Sequence, residues 1–434
     1  MRVLPMNHLK RTCEYSVVVL IFITLVSCAS QKERHLRKNI SKVLELGHFE
    51  DHFTGIMLFD PVSNDTLLAL NSDRYFTPAS NTKIFTLYSA LKILPEQLPA
   101  LSYVIQNDTL YFQGTGDAAA LHPFFKDSTA ALFLKRYPNI AYVPGNFQDD
   151  KFGPGWAWED YDSPFAPERS GFPMYGNVVQ LIQNDSLSIT PSFFRDSIFP
   201  TSDGRTRKEE ENIFFYKPGE HDTLLIPFKA GEHTTKDLLT ALLGIDVRMA
   251  GNMPAGDRQF LYGISADTVY QRMMQESDNF LAEQLLLQAS SVLGDTLSGV
   301  LVREFVLDTY LANLRHQPRW VDGSGLSRYN LFTPESMVYV LNALYREIDR
   351  ERLFSFFPKG GESGTLKDWF RGAPHPYVIA KSGTLGNNYS LSGYLLTKSG
   401  KTLIFSFMNN HFMEASSEVK KRMQPVLETI RDSY

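Results

Sequence analysis

The stretch TPASNTKIFTLYSALKIL (Thr77–Leu94) contains a lysine in a segment that is otherwise typical of a buried helix. Pro78 and the apolar run behind it predict a helix that begins around Ala79. Lys83 falls at the edge of the apolar stripe of that helix, one turn after Ser80. A cationic lysine directed at a core is costly unless it is paired or gives up its proton. Because a neutral lysine beside a serine is a base beside a nucleophile, the pair predicts covalent catalysis.

The overall composition excludes several classes of protein. The chain has 434 residues and a net charge of −5, with 43% hydrophobic and 21% charged residues. This is an ordinary globular composition in a chain long enough for more than one domain. Acidic and basic residues are scattered, whereas a nucleic-acid-binding protein needs a strong basic bias. We therefore expect no nucleic-acid partner.

The N-terminal segment has the layout of a signal peptide, which we place at residues 1–27. A basic stretch precedes the apolar run YSVVVLIFITLVSC, which is short for a membrane span. Its last four residues, 25–28, resemble a bacterial lipoprotein processing box. This resemblance implies that Cys28 carries a lipid anchor at the periplasmic or other extracytoplasmic face; simple secretion and an uncleaved anchor are the alternatives. Since Cys13 lies in the leader, we expect no disulfide in the mature chain.

The pattern of strands and helices predicts a split domain. Strand-like segments around residues 53–76 and 377–410 flank helical material, and residues 95–259 switch to short alternating runs separated by Asn-Asp, Gly and Pro turns. We therefore predict an α/β (α+β) fold in which residues 28–94 and 260–434 share one antiparallel sheet flanked by helices. Residues 95–259 are predicted to form a β-rich inserted domain.

Two further motifs accompany the first. Ser277-Asp278-Asn279 precedes the apolar run FLAEQLLL, where a tight turn can cap the helix and also present the serine and asparagine to one cleft. Lys381-Ser382-Gly383-Thr384 follows an apolar strand, and its glycine permits the close approach of another backbone. Two further Ser-x-x-Lys matches, Ser89–Lys92 and Ser417–Lys420, lie inside predicted helices, and we interpret them as solvated faces. The second Lys-Ser-Gly match, Lys398–Gly400, joins two predicted strands and is interpreted as a hairpin turn.

In this order the three motifs resemble those of the penicillin-recognising serine acyltransferases. The 194 positions from Lys83 to Ser277 exceed what a compact β-lactamase needs. Such an interval is characteristic of the D-alanyl-D-alanine carboxypeptidase/endopeptidases of the penicillin-binding protein 4 type. GTGDAAA (114–120), GPGWAWEDY (153–161) and DGSGLSRYN (322–330) also resemble that family, so the resemblance covers almost the whole mature chain. It implies a β-lactamase/transpeptidase-like domain, with a serine at 382 where a threonine is common.

The resemblance also implies a role for each motif residue. Ser80 would attack the carbonyl before the terminal D-residue of a peptidoglycan stem peptide, or acylate with a β-lactam. Lys83 would take the proton of Ser80, and Ser277 would relay a proton to the leaving amine. Asn279 would hold the peptide carbonyl and the Lys83 side chain. Backbone N–H groups of residues 80 and 384 would form an oxyanion hole. The side chains expected to bind the substrate carboxylate are Lys381, Ser382 and Thr384.

Other readings of the same residues remain. The resemblance requires no metal or organic cofactor, and the chain lacks both a Gly-x-Ser-x-Gly elbow and a His-Glu-x-x-His motif. A β-lactamase would need a group that activates the deacylating water, and no Glu-x-x-x-Asn segment follows Ser277. A catalytically silent envelope lipoprotein would have no need for a buried lysine.

We interpret DGSGLSRYN as a rigid turn, built by its glycines and Asp322, or as a substrate-facing element. The balance between carboxypeptidase and endopeptidase activity stays open.

Overall fold

A computed structural model describes residues 34, 36–184, 186–201 and 204–434. The signal segment and Cys28 lie outside the described residues. None of the helices within these ranges is both long and apolar enough to cross a membrane.

The secondary structure alternates between helical and strand-rich parts of the chain. In chain order, the α-helices of the described residues are α1 (36–46), α2 (Lys83–Ile93), α3 (Thr129–Leu134), α4 (Glu232–Leu243), α5 (Ala266–Gln275), α6 (Asn279–Leu293), α7 (Gly299–Thr309), α8 (Pro334–Glu347), α9 (Arg350–Phe356) and α10 (Ser416–Ser433). The strands are β1 (Phe53–Asp60), β2 (Asp65–Leu70), β3 (Gln97–Gln106), β4 (Thr109–Gly114), β5 (Ile140–Tyr142), β6 (Val178–Gln183), β7 (Leu187–Thr190), β8 (Ile198–Pro200), β9 (Phe214–Tyr216), β10 (Thr223–Pro227), β11 (Arg248–Met249), β12 (Gln259–Ser265), β13 (Val378–Leu385), β14 (Asn388–Leu396) and β15 (Thr402–Asn410).

A five-stranded antiparallel sheet joins the two ends of the chain, in the order β13-β14-β15-β1-β2. Its faces bury different helices, because successive side chains of a strand point to opposite sides. On β13, Ile379 packs into the core that holds α2, α5, α6 and α8, whereas Val378 and Ala380 pack into the core that holds α1 and α10. The sheet is therefore a middle layer between two helical layers.

The segment between α2 and α5 builds its own sheets and core. A second five-stranded sheet has the order β11-β5-β4-β3-β12, and smaller sheets contain β10-β6-β7 and β8-β9. Their apolar faces enclose α3 and α4 in a separate cluster of buried side chains. Strand β12 pairs with β3 as far as Ser265, past the boundary expected at 259/260. The exact domain boundaries stay predictions.

Two stretches with continuous helical periodicity are each divided into two helices in the structure. Residues 269–293 are split between α5 and α6, where Ser277 has a positive φ of 58° and Asp278 caps α6 through a bond from Leu281 N. Residues 334–352 are split between α8 and α9, where Asp349 accepts bonds from the backbone of the new helix. In both cases an aspartate cap starts a second helix within one apolar pattern.

Candidate active site

The first motif lies on a tight turn rather than on regular α-helix. Ala79–Thr82 form a 3-10 helix that leads directly into α2, and Ala79 has a positive φ of 49°. Lys83 is fully buried, at 0% exposure, and its Nζ lies 3.0 Å from Ser80 Oγ. The buried stripe of α2 that follows is packed into the helical core below the sheet. Tight packing of α2 therefore holds the lysine against the serine.

Two other acceptors fix the Lys83 amine. Nζ donates to Asn279 Oδ1 at 2.6 Å and to the carbonyl oxygen of Ser324 at 2.7 Å. A neutral amine has two N–H donors and one lone pair. If the two N–H bonds are directed at Asn279 and Ser324, the lone pair is left facing Ser80 Oγ.

Burial lowers the pKa of both lysines at the site. It brings the pKa of Lys83 to about 8, although the negative charges of Asp322, Asp278 and Glu283 act in the opposite direction. Burial, and then the charge of Lys83, hold the pKa of Lys381 well below its ordinary value. Burial is thus the cause of the lowered Lys83 pKa, and the charge of Lys83 acts in turn on Lys381.

The second motif reaches the site from the turn between α5 and α6. Asn279 is the first residue of α6, and its amide is oriented by two different partners. Its Oδ1 accepts from Lys83, while its Nδ2 donates to the carbonyl oxygen of Phe165 at 3.0 Å. Ser277 lies half-buried in the preceding turn. Because Phe165 belongs to the segment predicted as an insert, that segment helps to position the amide.

The third motif lies on β13 and is fastened to the first. Asn81 Nδ2 donates to the carbonyl oxygens of Lys381 and Ser390, at 3.0 and 3.2 Å. Gly383 faces the 3-10 turn so closely that a side chain there would meet the backbone of that turn. Thr384 follows as an exposed residue at the end of the strand. The turn and the edge strand therefore form one rigid wall.

These elements surround a cleft of about 500 Å³. Side chains or backbone of Ser80, Ser277, Asn279 and Thr384 line it directly. The rest of the lining comes from the GPGWAWEDY segment, the DGSGLSRYN loop and the residues next to them: Gly155, Ala157, Glu159, Asp160, Phe165, Gly325, Leu326, Arg328, Leu385 and Gly386. A larger cavity of about 610 Å³ lies between α1 and the β1–β2 edge, and none of the motif residues lines it.

Two residues of the third motif are placed differently from the others. Lys381 is fully buried, and its Nζ donates to the carbonyl oxygen of Ser382 at 2.8 Å. The Ser382 hydroxyl lies 2.7 Å from the hydroxyl of Thr365, which precedes Leu366 in the core on the α10 side of the sheet. In this structure the cleft lining therefore includes neither Lys381 nor Ser382.

Motif reasoning did not identify the groups that support Lys83 from behind. Ser324 N donates to Glu283 Oε1 at 2.7 Å, and Glu283 Oε2 lies 3.2 Å from Arg169 Nη1. Burial raises the pKa of Glu283, and the positive charge of Arg169 opposes that change. A signal for this support was present in DGSGLSRYN, whose glycines and Asp322 indicated a rigid turn. Within the described ranges, no three His, Cys, Asp or Glu side chains are grouped so that they could hold a metal ion.

Comparison with known proteins gives one family. A family model described as the D-Ala-D-Ala carboxypeptidase 3 (S13) family matches residues 36–186 and 246–430. A D-alanyl-D-alanine carboxypeptidase of Actinomadura sp. is 25% identical over 456 residues, covering 89% of this chain and 83% of that protein. D-alanyl-D-alanine carboxypeptidase DacB of Haemophilus influenzae is 33% identical over 116 residues, which are 26% of this chain and 24% of that protein.

A solved structure shares the fold. Penicillin binding protein 4 (dacB) from Haemophilus influenzae superposes with a TM-score of 0.72 at 19% identity, covering 91% of this chain and 99% of that chain. The same protein complexed with a β-lactam superposes with a TM-score of 0.65. At this level of identity the likeness concerns the fold alone. The match with the curated Haemophilus DacB spans about a quarter of its length.

Proposed function

Because the chain belongs to the D-Ala-D-Ala carboxypeptidase 3 (S13) family of serine-type DD-peptidases, we propose that it cleaves peptidoglycan stem peptides through an acyl-enzyme at Ser80. The single observation that supports this most directly is the environment of Lys83. Its Nζ lies 3.0 Å from Ser80 Oγ while Asn279 and Ser324 occupy the other two directions around the amine.

Acylation begins with proton transfer from Ser80 to neutral Lys83. Ser80 Oγ attacks the carbonyl carbon before the terminal D-residue, and its proton passes to the Lys83 lone pair. Negative charge develops on the carbonyl oxygen in the tetrahedral intermediate. The backbone N–H groups of Ser80 and Thr384 stabilise it, and such a donor contributes about 3 kcal/mol in other enzymes.

Collapse of the intermediate breaks the C–N bond of the scissile peptide. The leaving amine needs a proton, and Ser277 relays it from Lys83, which returns to its neutral form. Water then attacks the ester carbonyl at Ser80, and Lys83 accepts the proton of that water by the same geometry. The ester C–O bond breaks as Lys83 returns this proton to Ser80 Oγ, which restores the free serine and the neutral lysine. The same acyl-enzyme serves whether the leaving group is a free D-Ala or the amine of a cross-linked strand, so the proposed activity is that of a carboxypeptidase, an endopeptidase or both.

Binding of the substrate carboxylate is the proposed role of Lys381, Ser382 and Thr384. Burial lowers the pKa of Lys381 in the free protein, whereas an incoming carboxylate supplies the opposite charge that raises it again. Lys381 therefore takes up its full positive charge as substrate binds. The hydroxyl of Ser382 adds a donor whose direction depends on Thr365.

The location of the substrate gives the location of the protein. Peptidoglycan lies in the bacterial cell envelope, and we propose that a lipid on Cys28 holds the protein on the membrane at the extracytoplasmic face. β-Lactams are the second class of ligand, because they acylate the same serine. The β-lactamase alternative requires fast hydrolysis of that acyl-enzyme, for which the sequence offered no Glu-x-x-x-Asn segment.

Digestion of purified muropeptides, analysed by mass, tests this function. We expect loss of one alanine residue from pentapeptides, cleavage of cross-linked dimers, or both. A fluorescent penicillin should label the protein at Ser80, and Ser80→Ala should neither label nor digest while keeping the unfolding temperature of the wild type. Labelling of the Ser80→Ala protein, or intact muropeptides with the wild type, would contradict the proposal.

A further inference from the structure

One peptide group connects Lys83 to a buried carboxylate. The carbonyl oxygen of the Ser324–Gly325 peptide accepts from Lys83 Nζ at 2.7 Å. The N–H of the same peptide, on Gly325, donates to Asp322 Oδ1 at 2.8 Å. Hydrogen bonds at the two ends of one amide polarise it in the same sense. The negative charge of Asp322 therefore makes the Ser324 carbonyl oxygen a stronger acceptor for Lys83.

Asp322 is surrounded by hydrogen-bond donors. It is fully buried and accepts four hydrogen bonds, two on each oxygen. This pattern suits a carboxylate, whose two oxygens only accept hydrogen bonds. The four donors are Gly325 N and Asn330 Nδ2 on Oδ1, and Trp156 Nε1 and Ser327 N on Oδ2.

The DGSGLSRYN loop carries this connection and is packed against the nucleophile turn, which is the 3-10 helix Ala79–Thr82 that contains Ser80. Gly325 has a φ of +81°, and a Cβ on it would stand 1.9 Å from the carbonyl oxygen of Ala79. On the other side of the loop, Ser324 N is fixed by Glu283 Oε1. Both peptides around Ser324 are thus held in place, and the direction of its carbonyl follows from that packing.

The negative charge of Asp322 has only neutral hydrogen-bond partners, whereas the other carboxylates that act on Lys83 have an arginine nearby. Glu283 is paired with Arg169 at 3.2 Å, and Asp278 lies 3.7 Å from Arg272. Among the described residues, Asp322 has no ion pair within 4 Å, and its four partners are neutral donors. Of the three carboxylates that raise the pKa of Lys83, Asp322 has the largest effect.

We propose that Asp322 is a positioning residue for the reaction. Through the Ser324–Gly325 peptide it orients the amine of Lys83 toward Ser80, and its charge sets the pH at which that amine becomes a base. The inference rests on the proposed role of Lys83 as the base. The charged groups that act on Lys83 are Asp322, Asp278 and Glu283, which favour its charged form. The charge of Lys83 in turn lowers the pKa of Lys381.

The rate of acylation by a β-lactam, measured against pH, tests this role. The wild type should show an acidic limb centred near the Lys83 pKa of about 8, because only the neutral amine accepts the proton of Ser80. Asp322→Asn removes the negative charge that favours the ammonium, so the limb should move about one unit toward lower pH. The plateau rate should fall as well, since the carbonyl of Ser324 becomes a weaker acceptor.

A matched control separates this effect from general damage. Asp117 is also a buried aspartate with a backbone donor, and it is not among the charges that act on Lys83. Asp117→Asn should leave the midpoint of the limb unchanged, whatever it does to stability. An unchanged midpoint in a folded Asp322→Asn protein would overturn the inference.

A second variant decides the question if Asp322→Asn fails to fold. Trp156→Phe removes one neutral donor from Asp322 Oδ2 and leaves the carboxylate less shielded. The limb should then move toward higher pH, in the direction opposite to Asp322→Asn, and an unmoved or lowered midpoint would count against the role of Asp322. A wild type that does not acylate at any pH would instead contradict the proposed function, so the two failures can be told apart.

Discussion

Gly383 lies directly against the backbone nitrogen of Ser80. A Cβ on Gly383 would stand 2.8 Å from Ser80 N and 2.5 Å from the carbonyl oxygen of Pro78. Backbone atoms cannot move aside to relieve contacts this short, whereas the end of a flexible side chain can. Strand β13 and the nucleophile turn are therefore this close only because residue 383 has no side chain. The same contact sets the spacing between the backbone N–H groups of Ser80 and Thr384.

Gly383→Ala should therefore damage the proposed oxyanion hole more than the fold. The added methyl group pushes β13 away from the turn and separates the two N–H donors. Loss of one such donor costs about 3 kcal/mol, or roughly a hundredfold in rate. We expect the acylation rate with a β-lactam to fall by about that factor, with a smaller decrease in unfolding temperature.

Gly251→Ala is the matched control for this substitution, because nothing lies within 4 Å of a Cβ at that position. It should leave both the acylation rate and the unfolding temperature at the wild-type values. A Gly383→Ala protein that acylates as fast as Gly251→Ala would show that the approach of the strand to the turn does not matter for catalysis.

The lipid anchor gives a second prediction, on residues outside the described part of the chain. Cys28→Ala removes the sulfur that would carry the lipid, and each buried methylene of an acyl chain contributes about 0.8 kcal/mol to membrane binding. The protein should move from the membrane fraction to the soluble fraction while its acylation by a β-lactam is unchanged. Cys13→Ala, in the leader, should stay on the membrane. Membrane retention of the Cys28→Ala protein would indicate an uncleaved apolar anchor instead.

Local sequence pattern was sufficient for the elements that carry the chemistry. The apolar stripe after Lys83 predicted the buried helix α2, and the period-two segments at both chain ends predicted the antiparallel sheet that joins them. The predicted α/β fold class, the family and the class of enzyme are confirmed by the fold and by the family match. The roles of individual site residues stay predictions.

Contacts through the backbone could not be predicted in the same way. Lys83 reaches the carbonyl of Ser324, 241 positions along the chain, and a carbonyl oxygen carries no side-chain signature. Asp322 was visible only as part of a turn motif, because its four donors become neighbours only after folding. The third motif suggested that its neighbouring side chains bind one ligand together. Successive side chains of β13 point to opposite sides of the strand, however, and Ser382 contacts Thr365.

The hydroxyl pair of Ser382 and Thr365 gives a third prediction. If Ser382 donates its proton to the substrate carboxylate, Thr365 must be the donor within the pair, which lies at 2.7 Å. Thr365→Ala leaves the Ser382 hydroxyl free to rotate, so KM for a D-Ala-D-Ala peptide should rise by roughly tenfold, the cost of about one hydrogen bond. The turnover number should change little.

A double-mutant cycle checks that the two hydroxyls act as one unit. Ser382→Ala should raise KM on its own, and adding Thr365→Ala should then have little further effect, because coupled residues are not additive. Thr365→Ser keeps the hydroxyl and should behave as the wild type. Fully additive effects of the two alanine substitutions would exclude a joint role in substrate binding.

The last prediction compares the two buried lysines, because their proposed roles require opposite protonation states. Lys83 must be neutral, and its pKa of about 8 means that it becomes a base as the pH rises through that value. Lys83→Arg should lose acylation almost completely, since arginine keeps its proton. Lys381→Arg keeps a positive charge for the carboxylate and should retain measurable acylation with weaker binding. The measurement is the acylation rate from about pH 5 to pH 10 for the wild type and both variants. If the two variants had equal residual rates, or if the wild type had no acidic limb in that range, Lys83 would not be the base.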